Sequence, residues 1–330
     1  MTRTLAPNDV ATERDAATRA KSRDYARKRT LTLSKIWRFR ALYFMMLPGL
    51  IWFAIYKYAP MYGLVIAFKD YNLGKGIIGS PWADPWYRYF LEFYNSPYFQ
   101  QLFTNTALIS VYKLFWGTVP SILLAILLYE CRHLWLRRVV QTLTYMPHFL
   151  SWVIVYGIAV ILLSPSSGLI NRWLGMIDVG PIAFLTSTEW FRTVLVGSDA
   201  WRDLGWGAII YFAAMMGIDP QLYEAARVDG AGRLRQIWHI TLPGIRTVII
   251  LLVVLKLGQM LDAGFEHVYV FYNIQVYPVA DIIDTWVYRT GLQDLNFSLA
   301  AAVGVFKSVI GLVLILVANR VARRWDGQLW

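Results

Sequence analysis

The stretch Asp219-Pro220-Gln221-Leu222-Tyr223-Glu224-Ala225-Ala226-Arg227-Val228-Asp229-Gly230, running on to Ile240-Thr241-Leu242-Pro243, sets the organisation of the chain. Asp219-Pro220 reads as a helix start, because aspartate accepts from free backbone N–H groups and proline at the first helical position gives up no hydrogen bond. Gly230 lies just past the last periodic residue and reads as a stop. Leu222, Ala225 and Ala226 recur at three- and four-residue spacing, so they share one face, and the two alanines leave that face flat enough for close contact. A second short helix is expected over residues 231–240, with Pro243 ending it and opening the next apolar segment. A helix pair this polar, set between long apolar runs, is a loop joining two membrane spans.

Working outward, six stretches meet or nearly meet the roughly 20 apolar residues that a helix needs to cross a bilayer. They are residues 41–58, 103–129, 143–163, 193–217, 245–261 and 299–322. The fourth is the weakest, since Asp199, Arg202 and Asp203 interrupt it. Composition agrees: 57% of the residues are hydrophobic, 16% are charged and the mean hydropathy is +0.43, which marks an integral, all-α membrane protein. The polar amino terminus does not read as a cleaved secretory signal, so the first span is expected to stay.

The net charge of +11 would suggest a nucleic-acid partner in a soluble protein. Here the basic residues sit at the ends and in two loops, where they fix topology instead. The first forty residues hold eleven Lys/Arg against four Asp/Glu; Arg132, Arg137 and Arg138 follow span two; Arg227, Arg233, Arg235 and Arg246 follow span four; and Arg320, Arg323 and Arg324 follow span six. Basic loops stay cytoplasmic, so both termini and the 219–243 loop are expected inside. Residues 1–40 then form a basic cytoplasmic tail, partly interfacial on anionic lipid, and residues 41–330 the transmembrane domain. The segment 69–100, rich in glycine, proline and aromatics, is expected to be an external cap of turns and short helices.

Glu224-Ala225-Ala226, three residues, Gly230, nine residues, then Ile240-Thr241-Leu242-Pro243 resembles the signature loop of ABC-importer permeases in both residue type and spacing. Leu47-Pro48-Gly49, Pro60-Met61-Tyr62-Gly63, Ala67-Phe68-Lys69-Asp70-Tyr71-Asn72, Tyr145-Met146-Pro147-His148-Phe149 and Asp281-Ile282-Ile283-Asp284-Thr285 are similar to the carbohydrate, maltose-permease-like class. Within it they are most similar to the poly- and oligosaccharide branch that includes alginate and rhamnogalacturonan-fragment importers. The resemblance runs from about Arg38 to Trp330. It implies the type I ABC-importer permease fold with six transmembrane helices, in the bacterial inner membrane. It also implies uptake of an oligo- or polysaccharide by alternating access, acidic alginate-like polymers among the candidates.

The partners that follow from the resemblance are a second homologous permease, a dimeric nucleotide-binding ATPase and an extracytoplasmic sugar-binding protein, besides membrane lipid. Glu224, Ala225, Ala226, Asp229, Gly230, Leu242 and Pro243 would form the coupling contact with the ATPase. ATP and magnesium would be bound by that ATPase. This chain has no Gly-x4-Gly-Lys-Ser/Thr phosphate loop, Gly74-Lys75-Gly76 being too short, and is expected to be non-catalytic and to hold no cofactor. The lone Cys131 and the widely spaced His133, His148, His239 and His267 suggest neither redox nor metal chemistry.

Charges inside spans are costly and usually face a cavity or a partner, which singles out Lys113, Asp199, Arg202, Asp203, Lys256 and Lys307. For Lys256 two readings stand: a cation on the translocation path, or an ion pair with Asp199 or Asp262. Asp199 and Arg202, three apart on one helix, are expected to satisfy each other. His148 is read as a neutral helix-end histidine against the alternative of a proton carrier. Asn105, Trp201, Trp206, Gln259 and Phe265 join Lys256 as candidates for a sugar path, because sugars offer hydroxyls to amides and C–H faces to aromatic rings. The rivals are an ABC permease for another small solute, a self-contained secondary transporter, for which no internal repeat is seen, and a membrane-embedded transferase using Asp281 and Asp284.

Overall fold

A computed structural model describes residues 37–323. The greater part of the tail 1–40, and Arg324 with the residues after it, lie outside the described residues. Among those described the only strand-like pairing is a single bridge between Lys69 and Trp82; the rest is helix, turn and loop.

The chain divides into two compact units at Leu64/Val65. The first carries most of helix α1, Arg40–Phe68, which is apolar all round and exposes Phe44, Leu47, Ile51 and Ile55. Apolar residues on every side are what a lipid-facing helix requires. Span one was expected to stop at Tyr58, yet the helix continues. A π turn, Ala54–Tyr58, widens the backbone just before Pro60, so that Ala59 N–H bonds to Ala54 O and the proline ring finds room.

The second unit contains every other span. Its principal helices are α2 (Phe99–Glu130), α3 (Leu134–Tyr145), α4 (Trp152–Leu163), α5 (Phe191–Met216), α6 (Pro220–Val228), α7 (Arg233–Gly244), α8 (Arg246–Gly258), α9 (Phe265–Phe271), α10 (Ile283–Tyr288) and α11 (Phe297–Ala322). Helices α1, α2 and α11 are each long and apolar enough to cross a membrane as single rods. Span three is not one rod: the helix that starts with α3 runs through a 3-10 turn to Phe149, then meets α4 at 108°. The break falls at Leu150 and Ser151, both extended, where the Ser151 hydroxyl accepts from Ile154 N–H and starts α4. Span five is α8, which follows α7 at a bend of 57°.

Helix α5 supplies the sixth long element. Asp199, Arg202 and Asp203 do not interrupt it; 26 residues run unbroken because each charge finds a partner, as shown below. α5 packs along α2 through small residues: the Ser121 hydroxyl donates to Leu204 O at 3.0 Å, and a Cβ added at Gly207 would stand 2.7 Å from the Ser121 oxygen. Such close approach of backbones is how membrane helices associate without a hydrophobic driving force.

The segment between α1 and α2 forms short helices Gly76–Gly79 and Arg88–Tyr94. It is fastened to the last helix, since the Ser298 hydroxyl donates to Lys69 O at 2.6 Å and Phe93 packs with Trp286 and Phe306.

Candidate functional site

Two places in the second unit bring candidate site residues together. The first is the loop of α6 and α7. Asp219 caps α6 by accepting from Gln221 N–H at 2.9 Å, with Pro220 as the first helical residue. Gly230 has φ +74, a left-handed conformation that glycine adopts without a Cβ penalty, and Ala231 N–H returns to Ala226 O at 2.8 Å. The pair is tied at its base by the buried Tyr223, whose hydroxyl meets the Thr241 hydroxyl at 3.0 Å. The second helix begins at Arg233 and not at Ala231, and it does not stop before Pro243. A π turn, Ile237–Thr241, admits the proline, and the bend comes afterwards at Ile245.

The outer surface of this pair is uncovered. Leu222 is 53% exposed, Val228 88%, Leu234 74% and Trp238 67%, beside the exposed Glu224, Ala225, Asp229, Gly230 and Pro243. Ala226 and Leu242 are half-buried. Of the expected shared face, Leu222 and Ala225 are open and Ala226 turns partly inward.

The second place is a cavity of about 520 Å³ among α2, α5, α8 and the turn after α8. Its wall includes Lys113, His148, Asp199, Asp203, Trp206, Lys256, Gln259 and Asp262. Lys113 Nζ lies 3.2 Å from Asp199 Oδ1, 2.8 Å from His267 Nδ1, and donates to Ala263 O at 2.9 Å. His267 is buried, stacked on Trp152 at 3.6 Å between ring centres, and its Nε2 meets the Ser198 hydroxyl at 3.0 Å. His148 Nδ1 stands 2.6 Å from Asp203 Oδ1 and stacks on Trp206 at 4.4 Å. Lys307 bonds to both Asp262 and Asp284, joining α11 to the turn after α8 and to α10.

These contacts correct the expected pairing of Asp199 with Arg202. Asp199 instead meets Lys113, while Arg202 donates to Leu150 O at 3.0 Å, lies over the Trp152 ring at 4.3 Å and stands 3.8 Å from Asp203. Of the two readings of Lys256, the ion pair with Asp199 or Asp262 is not found. Its Nζ reaches only Gly117 O at 3.5 Å and Thr118 Oγ1 at 3.4 Å, both long for hydrogen bonds, and no described carboxylate comes within ion-pair distance. Lys256 is thus a wall cation whose charge no carboxylate meets at close range.

Of the path candidates, Trp206, Lys256 and Gln259 line the cavity. Asn105 does not. It is 2% exposed, donates to Pro278 O and Asp281 O, and accepts from Arg192 at 2.7 Å, so it clips α2 to the segment before α10. Trp201 is half exposed, away from the cavity wall, and Phe265 sits beside Tyr269 and Tyr288 just beyond Gly264. Asp281 is buried against Arg289 at 2.6 Å and Thr285, and Asp284 is held by Lys307, so the two carboxylates serve separate ion pairs and form no acid–base couple. Sequence reasoning missed His267 and Ser198, whose partners lie 154 and 69 residues away.

With this geometry in hand, the comparisons are specific. Residues 117–327, more than half of the chain, match the family described as binding-protein-dependent transport system inner membrane component. The polygalacturonan/rhamnogalacturonan transport system permease protein YteP of Bacillus subtilis (strain 168) is 47% identical over 91% of this chain and 93% of its own length. Protein LplB of the same strain is 42% identical over 87% of this chain and 90% of its own. A solved chain from a bacterial alginate ABC transporter, in complex with an alginate pentasaccharide-bound periplasmic protein, superimposes with a TM-score of 0.82 at 41% identity, covering 89% of this chain and 98% of that one. The chain belongs to the inner-membrane permease components of binding-protein-dependent ABC transport systems, with the all-helical type I permease fold.

Proposed function

We propose that this chain is one permease subunit of an ATP-driven importer that takes up oligo- or polysaccharide, acidic polymers included, by alternating access. The observation that carries the reading is the joint presence of a charged cavity within the helices and an uncovered helix pair, α6–α7, at the loop between α5 and α8. A cavity that is opened and closed needs an attachment for the force that moves it. Exposed Leu222, Val228, Leu234 and Trp238 stand among the exposed charges of Glu224, Arg227, Asp229, Arg233 and Arg235, and apolar side chains within a charged surround are the makeup of a protein contact.

In this reading the partner bound there is a dimeric ATPase, which holds ATP and magnesium and performs the hydrolysis. A second homologous permease completes the cavity, and an extracytoplasmic binding protein delivers the sugar. Both termini face the cytoplasm, residues 1–40 form a basic tail at the anionic leaflet, and residues 41–330 form the permease domain with its coupling loop at 219–243. Support for a saccharide comes from the relatives, two of which are named for galacturonan and alginate transport. Support for an acidic one comes from Lys256, exposed in the cavity with no carboxylate at ion-pair distance.

Replacing Glu224 or Gly230 in the purified complex should uncouple it. Saccharide-stimulated ATP hydrolysis should fall while the helices of the permease stay folded by circular dichroism. If both assembly with the ATPase and stimulated hydrolysis survive, the loop is not the coupling element. Lys256→Gln should weaken uptake of acidic oligosaccharides more than neutral ones; equal uptake of both would remove Lys256 from the path.

A further inference from the structure

Helix α9 begins one residue after Gly264, which lines the cavity, and has two unlike faces. His267, Val268 and Phe271 are buried. Phe265 and Tyr269, four apart, and Tyr272, three further on, occupy the other side and remain partly open, Tyr269 at 38% exposure. Their rings follow one another without a gap: Phe265 to Tyr269 at 5.4 Å, Tyr269 to Tyr272 at 5.7 Å and Tyr272 to Tyr277 at 5.0 Å between centres. Tyr288 of α10 braces the row, 5.5 Å from Phe265 and 5.1 Å from Tyr269.

Four of these five rings carry a hydroxyl. Single tyrosines at a membrane surface reach for headgroups, but these run as one continuous row that starts beside the cavity. An apolar ring with a polar tip suits a ligand that is itself two-sided, with C–H faces and a hydroxyl rim. We propose that Phe265, Tyr269, Tyr272, Tyr277 and Tyr288 form a stacking platform that leads from the cavity and along which successive rings of an oligosaccharide lie.

The platform rests on the saccharide reading above and adds a selectivity to it. Arg289 lies over Tyr277 at 5.1 Å, but its charge is already met by Asp281 at 2.6 Å, so the row offers no unpaired cation. It therefore responds to how many sugar rings the ligand has and not to their charge, whereas Lys256 in the cavity responds to charge. Length and acidity are sensed in different places.

The test uses the complete transporter, reconstituted with its second permease, ATPase and binding protein, and compares uptake of an alginate pentasaccharide with that of an alginate disaccharide. In the Tyr269→Ala/Tyr277→Ala variant the KM for the pentasaccharide should rise about three- to tenfold, the scale of losing one or two aromatic contacts, with the disaccharide little changed. Tyr269→Phe/Tyr277→Phe, which keeps the rings, should restore it. Should the double alanine variant fail to assemble, Tyr269→Leu keeps the bulk without the ring and should show the same dependence on length. The platform is overturned if both saccharides are affected equally or not at all, or if the variants lose stimulation of ATP hydrolysis by the binding protein at saturating saccharide, which would make this face a protein-docking surface. If the unaltered transporter imports neither saccharide, the saccharide reading fails and the platform with it.

Discussion

The loop α6–α7 and the cavity network differ in how far apart their working residues stand in the chain. In the loop, everything lies within twenty-five residues, 219–243, and most of it is displayed outward: cap, glycine turn, Ala225 and four exposed apolar side chains. In the cavity, Lys113, Asp199 and His267 come from three distant elements and turn toward one another, with Trp152, Ser198 and Ala263 enclosing them. The outer surface of the loop contributes little to stability, because most of its candidate side chains touch water. The network is bound up with stability, because a charge left unpaired in a helix bundle is expensive.

The two regions should therefore respond oppositely to substitution. Asp199→Ala should cost the most, about 3–5 kcal/mol, because it strands the ammonium of Lys113 in an enclosed site. Thermal unfolding of the detergent-solubilised complex would show it, and replacing the pair together, Lys113→Met with Asp199→Leu, should recover most of the loss. If Asp199→Ala melts like the parent, the network does not hold α2 to α5.

Gly205→Ala should cost about 1–3 kcal/mol by overpacking, since the new Cβ would stand 2.2 Å from Thr144 O and backbone cannot yield as a side-chain tip can. The same melt measures it, and an unaltered melt would mean that the α3 helix does not seat on α5 as described. Leu234→Ser, at a position 74% exposed, should change stability by no more than about 0.5 kcal/mol, yet it should reduce ATPase assembly in a pull-down. A large fall in melting temperature there would place Leu234 in the protein's own core and erase the contrast between the two regions.

A second likeness was hidden in the sequence. The π turns Ala54–Tyr58 and Ile237–Thr241 each stand two residues before a proline, Pro60 and Pro243, and each lets a helix continue through it, Pro243 having been expected to end one. Proline signals a broken hydrogen bond at its own position, but whether the chain stops or widens depends on what the next turn packs against. That is why α1 ran past Tyr58 and α7 past Ile240. The 108° break between α3 and α4 was illegible for a related reason: hydropathy is continuous through Pro147 and Ser151, and only the backbone at Leu150 and Ser151 reveals the corner.

The sequence by itself determined the solvent of this protein, the long apolar segments and the start and glycine turn of the 219–243 loop. These depend on composition and on spacings of three and four residues, which a helix converts directly into geometry. Tertiary structure alone decided which charges meet. Asp199 was within reach of Arg202 on its own helix and bonded instead to Lys113 and the region of His267, because the fold brings an ammonium and a buried imidazole to one side of α5 and carries Arg202 off to Leu150 and Trp152. It also left Lys256 in the cavity without a carboxylate beside it, and turned Asn105 from a candidate for the sugar path into a clip between helices. A charge selects its partner by distance in space, and across some 150 residues of chain that distance is set only when the helices have packed.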